Sequence, residues 1–511
     1  MMRFVCAMAV AGATLAAPAF AYLGRVDTIG GTTCDWQMSW GAQRRLVNSP
    51  LFGLHAAWVY SADTSSQYPD RNLRYNFYDY GTGAWNWTDP DFMWSGVNVF
   101  TTRTGTGNLD VDAATGGVLL CSYANSIPPY PVLARDAEPG AGIFDYSRGP
   151  DGYLWPVVAV GQESVAHVVM VDDSTREGGW YSRVRGSGWE TPEELLHPGT
   201  PTFALASART GFGVCLAWTG GGRNLYMVST DGGDNWPGAD SLPAPPAFGG
   251  DTVSAFSDYG LFPFYDSQGR LHFAATIVPR LLDTLYVQPA EIWHWCAQNA
   301  PNWTRVHRAG CRPENMQGGI GYNAAYAGRP SLGEDEHGNL GMAWEQFDSS
   351  NVEPLTGLLR AGVWVAGSMS NGILWGAPTM VTDQNTVSHR FPCIDRVLTG
   401  SMDYDSAIVL YEMDQVAGFG FIGQGPNTYN PVVCQFAEVR TYGVSERGAA
   451  VQKPASGLRP TVLRRLPSGA VAFDASGRRV INPKSGIYFV RAEPSAVDRK
   501  PSAVTKVIIT R

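Results

Sequence analysis

The sequence is poor in charge: only 16% of its 511 residues are Asp, Glu, Lys or Arg, against roughly a quarter in an average soluble protein. Beyond its N-terminal stretch it has no run of about 18 apolar residues, so no membrane-spanning helix is expected. No long segment repeats apolar residues at helical spacing, which argues against a helical bundle. Cysteine is scarce, eight residues in all, and no Cys-x-x-Cys pair occurs, which speaks against a zinc ribbon. A Gly-x-Ser-x-Gly elbow, a P-loop and a His-Glu-x-x-His zinc motif are all missing.

What is present points to strands and turns. The chain holds 59 Gly, 34 Pro and 17 Trp; Gly and Pro punctuate turns, and aromatic residues favour strands. The expected class is all-β. The first residues read as a secretory signal peptide: Arg3, an apolar stretch from Phe4 to Leu15, then Ala19-Phe20-Ala21 with cleavage after Ala21. Charge is split along the rest. From Gly443 to Arg511 there are 13 basic and 4 acidic residues, a net of +9, while Tyr22 to Tyr442 carries 23 basic and 42 acidic, a net of −19. Every Trp lies before Gly443. This shift sets a domain boundary: 1–21 signal peptide, 22–442 body, 443–460 linker and start of the tail domain, 461–511 the rest of that domain. An acidic body excludes nucleic acid as a partner, because phosphate binding needs a basic footprint. After loss of Cys6, seven cysteines remain. That odd number leaves at least one unpaired. Cys121 and Cys215 sit in apolar strand patterns as buried small hydrophobes; Cys296 and Cys311 fall within one expected blade and are placed to pair.

Two motifs recur. The turn Ser229-Thr230-Asp231-Gly232-Gly233-Asp234-Asn235-Trp236 reads Ser-x-Asp-x-Gly-x-x-Trp. Ser368, Ser370, Gly372 and Trp375 keep its offsets with Ser in place of Asp, and Ser182, Val184, Gly186 and Trp189 keep them with Val. The Ser or Asp can close the turn by bonding nearby backbone, Gly can take positive φ, and Trp can cover the hairpin. The second motif is a polar Gly turn before an apolar strand, as at Asp266-x-x-Gly269 and Asp335-x-x-Gly338, a hairpin signal. Such strands recur around Leu54, Val118, Leu154, Val214, Leu271, Leu340 and Ser406–Tyr411, at intervals suited to propeller blades. Seven blades are expected, with six as the alternative, and Arg25–Ile29 is placed to close the ring by pairing into the last blade.

The first motif resembles the Asp-box of sialidase-like β-propellers. That resemblance implies that Asp231 and its counterparts are structural, on blade-edge turns remote from any active centre. The tail has the order Asp474-x-x-Gly477-Arg478, then Gly486-Ile487-Tyr488-Phe489-Val490-Arg491, then Lys506-Val507-Ile508-Ile509. It looks like the C-terminal sorting domain of type IX secretion substrates, a small β-sandwich. That implies the type IX secretion machinery as a partner, export through the periplasm, and release or attachment at the outer-membrane surface.

Sialidase sites resemble a cluster of Arg on a substrate carboxylate, a Tyr nucleophile backed by Glu, and an Asp acid/base. The family's early Phe/Tyr-Arg-Ile-Pro signature is absent here; His389-Arg390-Phe391-Pro392 has another order and lies in the last blade. No catalytic residue carries over. Trp58, Trp218 and Trp344 fall at matching strand positions, suited to packing between blades or to a sugar-stacking rim. Glu345, next to Trp344, is placed to face a central channel. His55 and His272 also repeat and read as strand residues rather than metal ligands. Asp110 and Asp112 lie beside a Gly-rich turn and offer oxygen ligands to Ca²⁺, or form a solvated acidic turn; no other cofactor is expected. The function expected is a secreted or cell-surface propeller binding glycan or protein, the alternative being a sialidase-like exo-glycoside hydrolase.

Overall fold

A computed structural model describes residues 23–439, apart from short stretches at 39–40, 197–201, 221–222, 246, 249–251, 384–385 and 402–403, together with five strands between 461 and 509. The signal peptide, its cleavage after Ala21 and the 443–460 linker lie outside the described residues. The chain divides into two units, Met1–Ser445 and Glu446–Arg511.

The first unit is a β-propeller of seven blades, each an antiparallel sheet of four or five strands. The first strands are Leu46–Ser49, Asn108–Val111, Tyr153–Val160, Phe203–Ser207, Val253–Tyr265, Ala327–Glu334 and Ser388–Ile394, and successive ones touch around the axis. Each blade packs both faces on its neighbours, so second strands such as Gly53–Tyr60 and Val118–Ala124 are buried along their whole length instead of alternating. The core is correspondingly divided into one apolar cluster per blade interface. Six of the expected blade centres fall on the second strand of a blade. Leu154 falls instead on the first strand of blade 3, whose second strand is Ala166–Asp172; hence the close spacing of blades 2 and 3 in the sequence.

The ring closes with both ends of the propeller in one sheet. Arg25–Thr32 is the outermost strand of blade 7 and pairs antiparallel with Asn430–Val439, Arg25 opposite Phe436 and Thr32 opposite Asn430. The seven cysteines are all free. The expected Cys296–Cys311 pairing is absent for a geometric reason. Cys296 ends the strand Ala290–Cys296, whereas Cys311 follows Trp303–Ala309, whose end pairs back to Ala290. A seven-residue strand, about 20 Å, separates them.

In the second unit the described strands Thr461–Leu463, Ala470–Phe473, Arg479–Val480, Gly486–Ala492 and Val504–Ile509 form one five-stranded sheet, with Thr461–Leu463 parallel to the last strand and the other pairings antiparallel.

Candidate functional site

First strands run toward one end of the axis and second strands return. The end where first strands begin therefore also carries the loops between second and third strands; we call it the mouth. The turns between third and fourth strands lie at the opposite end. Ser229 and Ser368 belong there. Gly233 N–H donates to Ser229 Oγ (2.8 Å), and Gly372 N–H to Ser368 Oγ (2.9 Å). Asp231 accepts from Ser229 Oγ, Asn235 N–H and Asn235 Nδ2. Gly233 (φ 84°) lies so close to Tyr181 that a Cβ would meet its Oη at 1.9 Å. Trp236 and Trp375 pack on Tyr181 and His294. The Ser182 copy is built differently: its hydroxyl bonds the Glu190 carbonyl across a tight hairpin.

The mouth holds a buried charge network. Glu345 is fully buried. Its carboxylate accepts from Arg329 Nη1 (2.5 Å), Arg390 Nε (3.1 Å) and the Phe391 N–H (2.9 Å). Burial opposes its ionisation, but Arg390 and Arg329 outweigh burial and hold Glu345 down to about 2. The Phe391 ring lies between the two guanidinium groups, 4.8 Å from Arg329 and 5.0 Å from Arg390. Arg45, also buried, donates to Gln37 Oε1 (3.1 Å) and to the Phe391 carbonyl.

Local backbone aims these groups. Arg329 and Phe391 have positive φ (53° and 55°), each directly before a proline and each at a bulge in a first strand. Trp155, before Pro156, repeats the device in blade 3 (φ 48°). A bulge redirects the side chains that follow it, and positive φ at a non-glycine residue stores roughly 1–3 kcal/mol of strain. Two of the three bulges build the network around Glu345.

Above the network sits an aromatic cluster. Trp36 packs on Phe419 (5.0 Å between ring centres), Phe421 (5.6 Å) and Tyr322 (6.0 Å). Tyr322 is 56% and Phe421 51% exposed, and the Trp36 indole N–H has no protein partner. Beneath it Asp35 accepts from Gly420 N–H and Tyr68 Oη, and burial pushes its carboxyl up to about 6.

The expected site residues separate. Trp58, Trp218 and Trp344 are buried in the clusters between blades 7 and 1, 3 and 4, and 5 and 6. They form no sugar-stacking rim, because both faces of a second strand are covered by neighbouring sheets. Glu345 lies on the second strand of blade 6, and its carboxylate is taken by Arg329 of that blade and by Arg390 and the Phe391 N–H of blade 7. Asp110 pairs with Arg209 (2.6 Å), and Asp112 bonds Ser164 Oγ and lies 3.9 Å from Arg135. Among the described residues no group of three or more His, Cys, Asp or Glu is placed to hold a metal ion. Residue reading missed Trp36, Tyr322 and Phe421, which lie on unrepeated loops, and Arg329, whose one signal is the Arg-Pro step that matches Phe391-Pro392.

No protein-family model and no curated protein matches the sequence. Among solved structures, the chain is similar to a polysaccharide lyase of family PL25, an ulvan lyase, at 11% identity and TM-score 0.47, covering 83% of this chain and 97% of that one. It is similar to a Hadza microbial sialidase at 10% identity and TM-score 0.38, covering 80% and 66%. It is similar to the Aleuria aurantia lectin at 9% identity and TM-score 0.34, covering 52% and 79%. At these values the likeness says nothing of activity, and the propeller rests on its own strand pairing. No helix among the described residues is long and apolar enough to cross a membrane.

Proposed function

We propose that the protein is an exported propeller that binds a glycan at its mouth without cleaving it. The observation that carries this reading is the cluster of Trp36, Tyr322 and Phe421: two half-exposed rings packed beside a partly buried indole. Aromatic faces take the apolar face of a sugar ring. Hydrolysis of the sialidase type needs free arginines and a Tyr activated by a neighbouring carboxylate. Here Arg329 and Arg390 are committed to Glu345, and all of Glu345's hydrogen bonds come from those arginines and the Phe391 N–H. The resemblance of the Ser229–Trp236 turn to the Asp-box of sialidase-like propellers, and of the tail to type IX sorting domains, supports a carbohydrate-rich extracellular setting.

A glycan array followed by calorimetry tests the reading. Tyr322→Ala and Phe421→Ala should each weaken binding of the identified glycan about tenfold, the scale of about 1–3 kcal/mol per stacking contact, with little change in melting temperature because both rings are half-exposed. Release of sialic acid from a fluorogenic substrate by the wild-type protein would overturn the non-catalytic reading.

A further inference from the structure

Beyond the mouth, the axis carries a second set of charges. Arg44, Arg209 and Arg396 gather there with Asp110. Arg209 Nη2 takes Asp110 Oδ1 at 2.6 Å. Arg44 and Arg396 make no ion pair among the described residues. Arg396 Nη2 reaches only backbone carbonyls, Tyr265 at 3.0 Å and Ser207 at 3.5 Å, and Arg44 Nη1 is buried with no partner. Both guanidinium groups lie near the Phe264 ring, at 6.0 and 5.3 Å.

The remaining acids nearby compensate poorly. Asp395 accepts the Asn48 N–H (2.8 Å), and burial pushes its carboxyl up to about 7, so much of it is neutral near that pH. Glu334 is taken by Ser267, through its N–H (2.6 Å) and its hydroxyl (3.0 Å). A lysine in this setting would release its proton. A guanidinium does not, so buried Arg396 and partly buried Arg44 keep their charge without an ion pair, which costs stability. Arg44, Asp110 and Arg396 line a cavity of about 30 Å³ together with Asn108, Gln43 and Phe262. That is room for one ion-sized particle and far too little for a sugar.

We infer that the propeller axis holds one small monovalent anion, of chloride size, between Arg44 and Arg396. The anion supplies the charge that the two guanidinium groups lack and ties the first strand of blade 1 to that of blade 7. This site is separate from the aromatic mouth, so either can fail without the other.

Bromide is the probe. The full-length protein, crystallised and soaked in potassium bromide, should show an anomalous peak within hydrogen-bonding distance of Arg44 and Arg396. Melting in potassium chloride should lie about 2–4 °C above melting in potassium gluconate at equal ionic strength, and Arg44→Gln should abolish that difference. If Arg44→Gln does not fold, the bromide peak in the wild-type protein decides alone. Its absence overturns the inference, whatever the melting curves show.

Discussion

Glu345 lies between Arg329 and Arg390 with no solvent to share the charge. Replacing it by Gln keeps the volume and leaves two buried cations facing a neutral amide. Glu345→Gln should therefore lower the unfolding free energy by about 3–5 kcal/mol, read as a drop in the urea midpoint at unchanged slope. A loss below about 1 kcal/mol would show that water or another acid reaches these arginines. His167 tests pH. It is buried with Nδ1 at 2.7 Å from Tyr181 Oη, and burial pulls it down to about 3. Unfolded, it titrates near about 6.5. The unfolded chain therefore binds more protons between those values, and this contribution, present above about 6.5, is lost as pH falls toward 3. His167→Gln should shrink the stability difference between pH 7 and pH 4.5 by about 2 kcal/mol. Asp136, pushed up to about 6 by burial, works oppositely: its contribution is present below about 3.8 and is lost as pH rises through 6. The variant comparison separates the two.

Strands and turns explain why some features were legible in the sequence and others were not. The Gly-apolar repeat marks second strands because both their faces are buried, so Leu54, Val118 and Leu340 declare their blades. Blade 3 misleads because its first strand, Tyr153–Val160, also follows a Gly turn and is just as apolar. The mouth is hardly legible: Trp36, Tyr322 and Phe421 come from three loops with no period, brought together by ring closure. The Ser-x-Asp-x-Gly turns make a sharper prediction. Gly233 and Gly186 both have positive φ (84° and 61°), but a Cβ on Gly186 meets nothing within 4 Å while one on Gly233 strikes Tyr181. Gly186→Ala should cost about 1 kcal/mol from backbone strain alone, and Gly233→Ala about 2–4 kcal/mol once the clash is added. Thermal melts of the two variants compare them, and equal losses would show that Tyr181 moves aside.

Over the whole molecule, the acidic, Trp-bearing first unit and the basic second unit are separate bodies of chain. Limited proteolysis is expected to cut between Gly443 and Pro460, where the composition is that of an exposed connector, and to leave a folded propeller. A propeller that unfolds on this cut would place the tail within its core. Export makes an independent prediction: deleting Gly443–Arg511 should leave the protein in the periplasm, and unchanged secretion of that deletion would refute a sorting role for the tail.

Closing blade 7 with Arg25–Thr32 has a consequence for biogenesis. The first propeller strand to be synthesised finds its partner, Asn430–Val439, among the last parts of the propeller to be made. Until then its edge is open, and every blade awaiting a neighbour has an apolar face uncovered. A chain built this way is exposed to aggregation while it waits, because long-range pairing is slow and open edges invite association. It also carries its own completeness check, since a product truncated before Asn430 lacks the strand that Arg25–Thr32 pairs with and cannot latch.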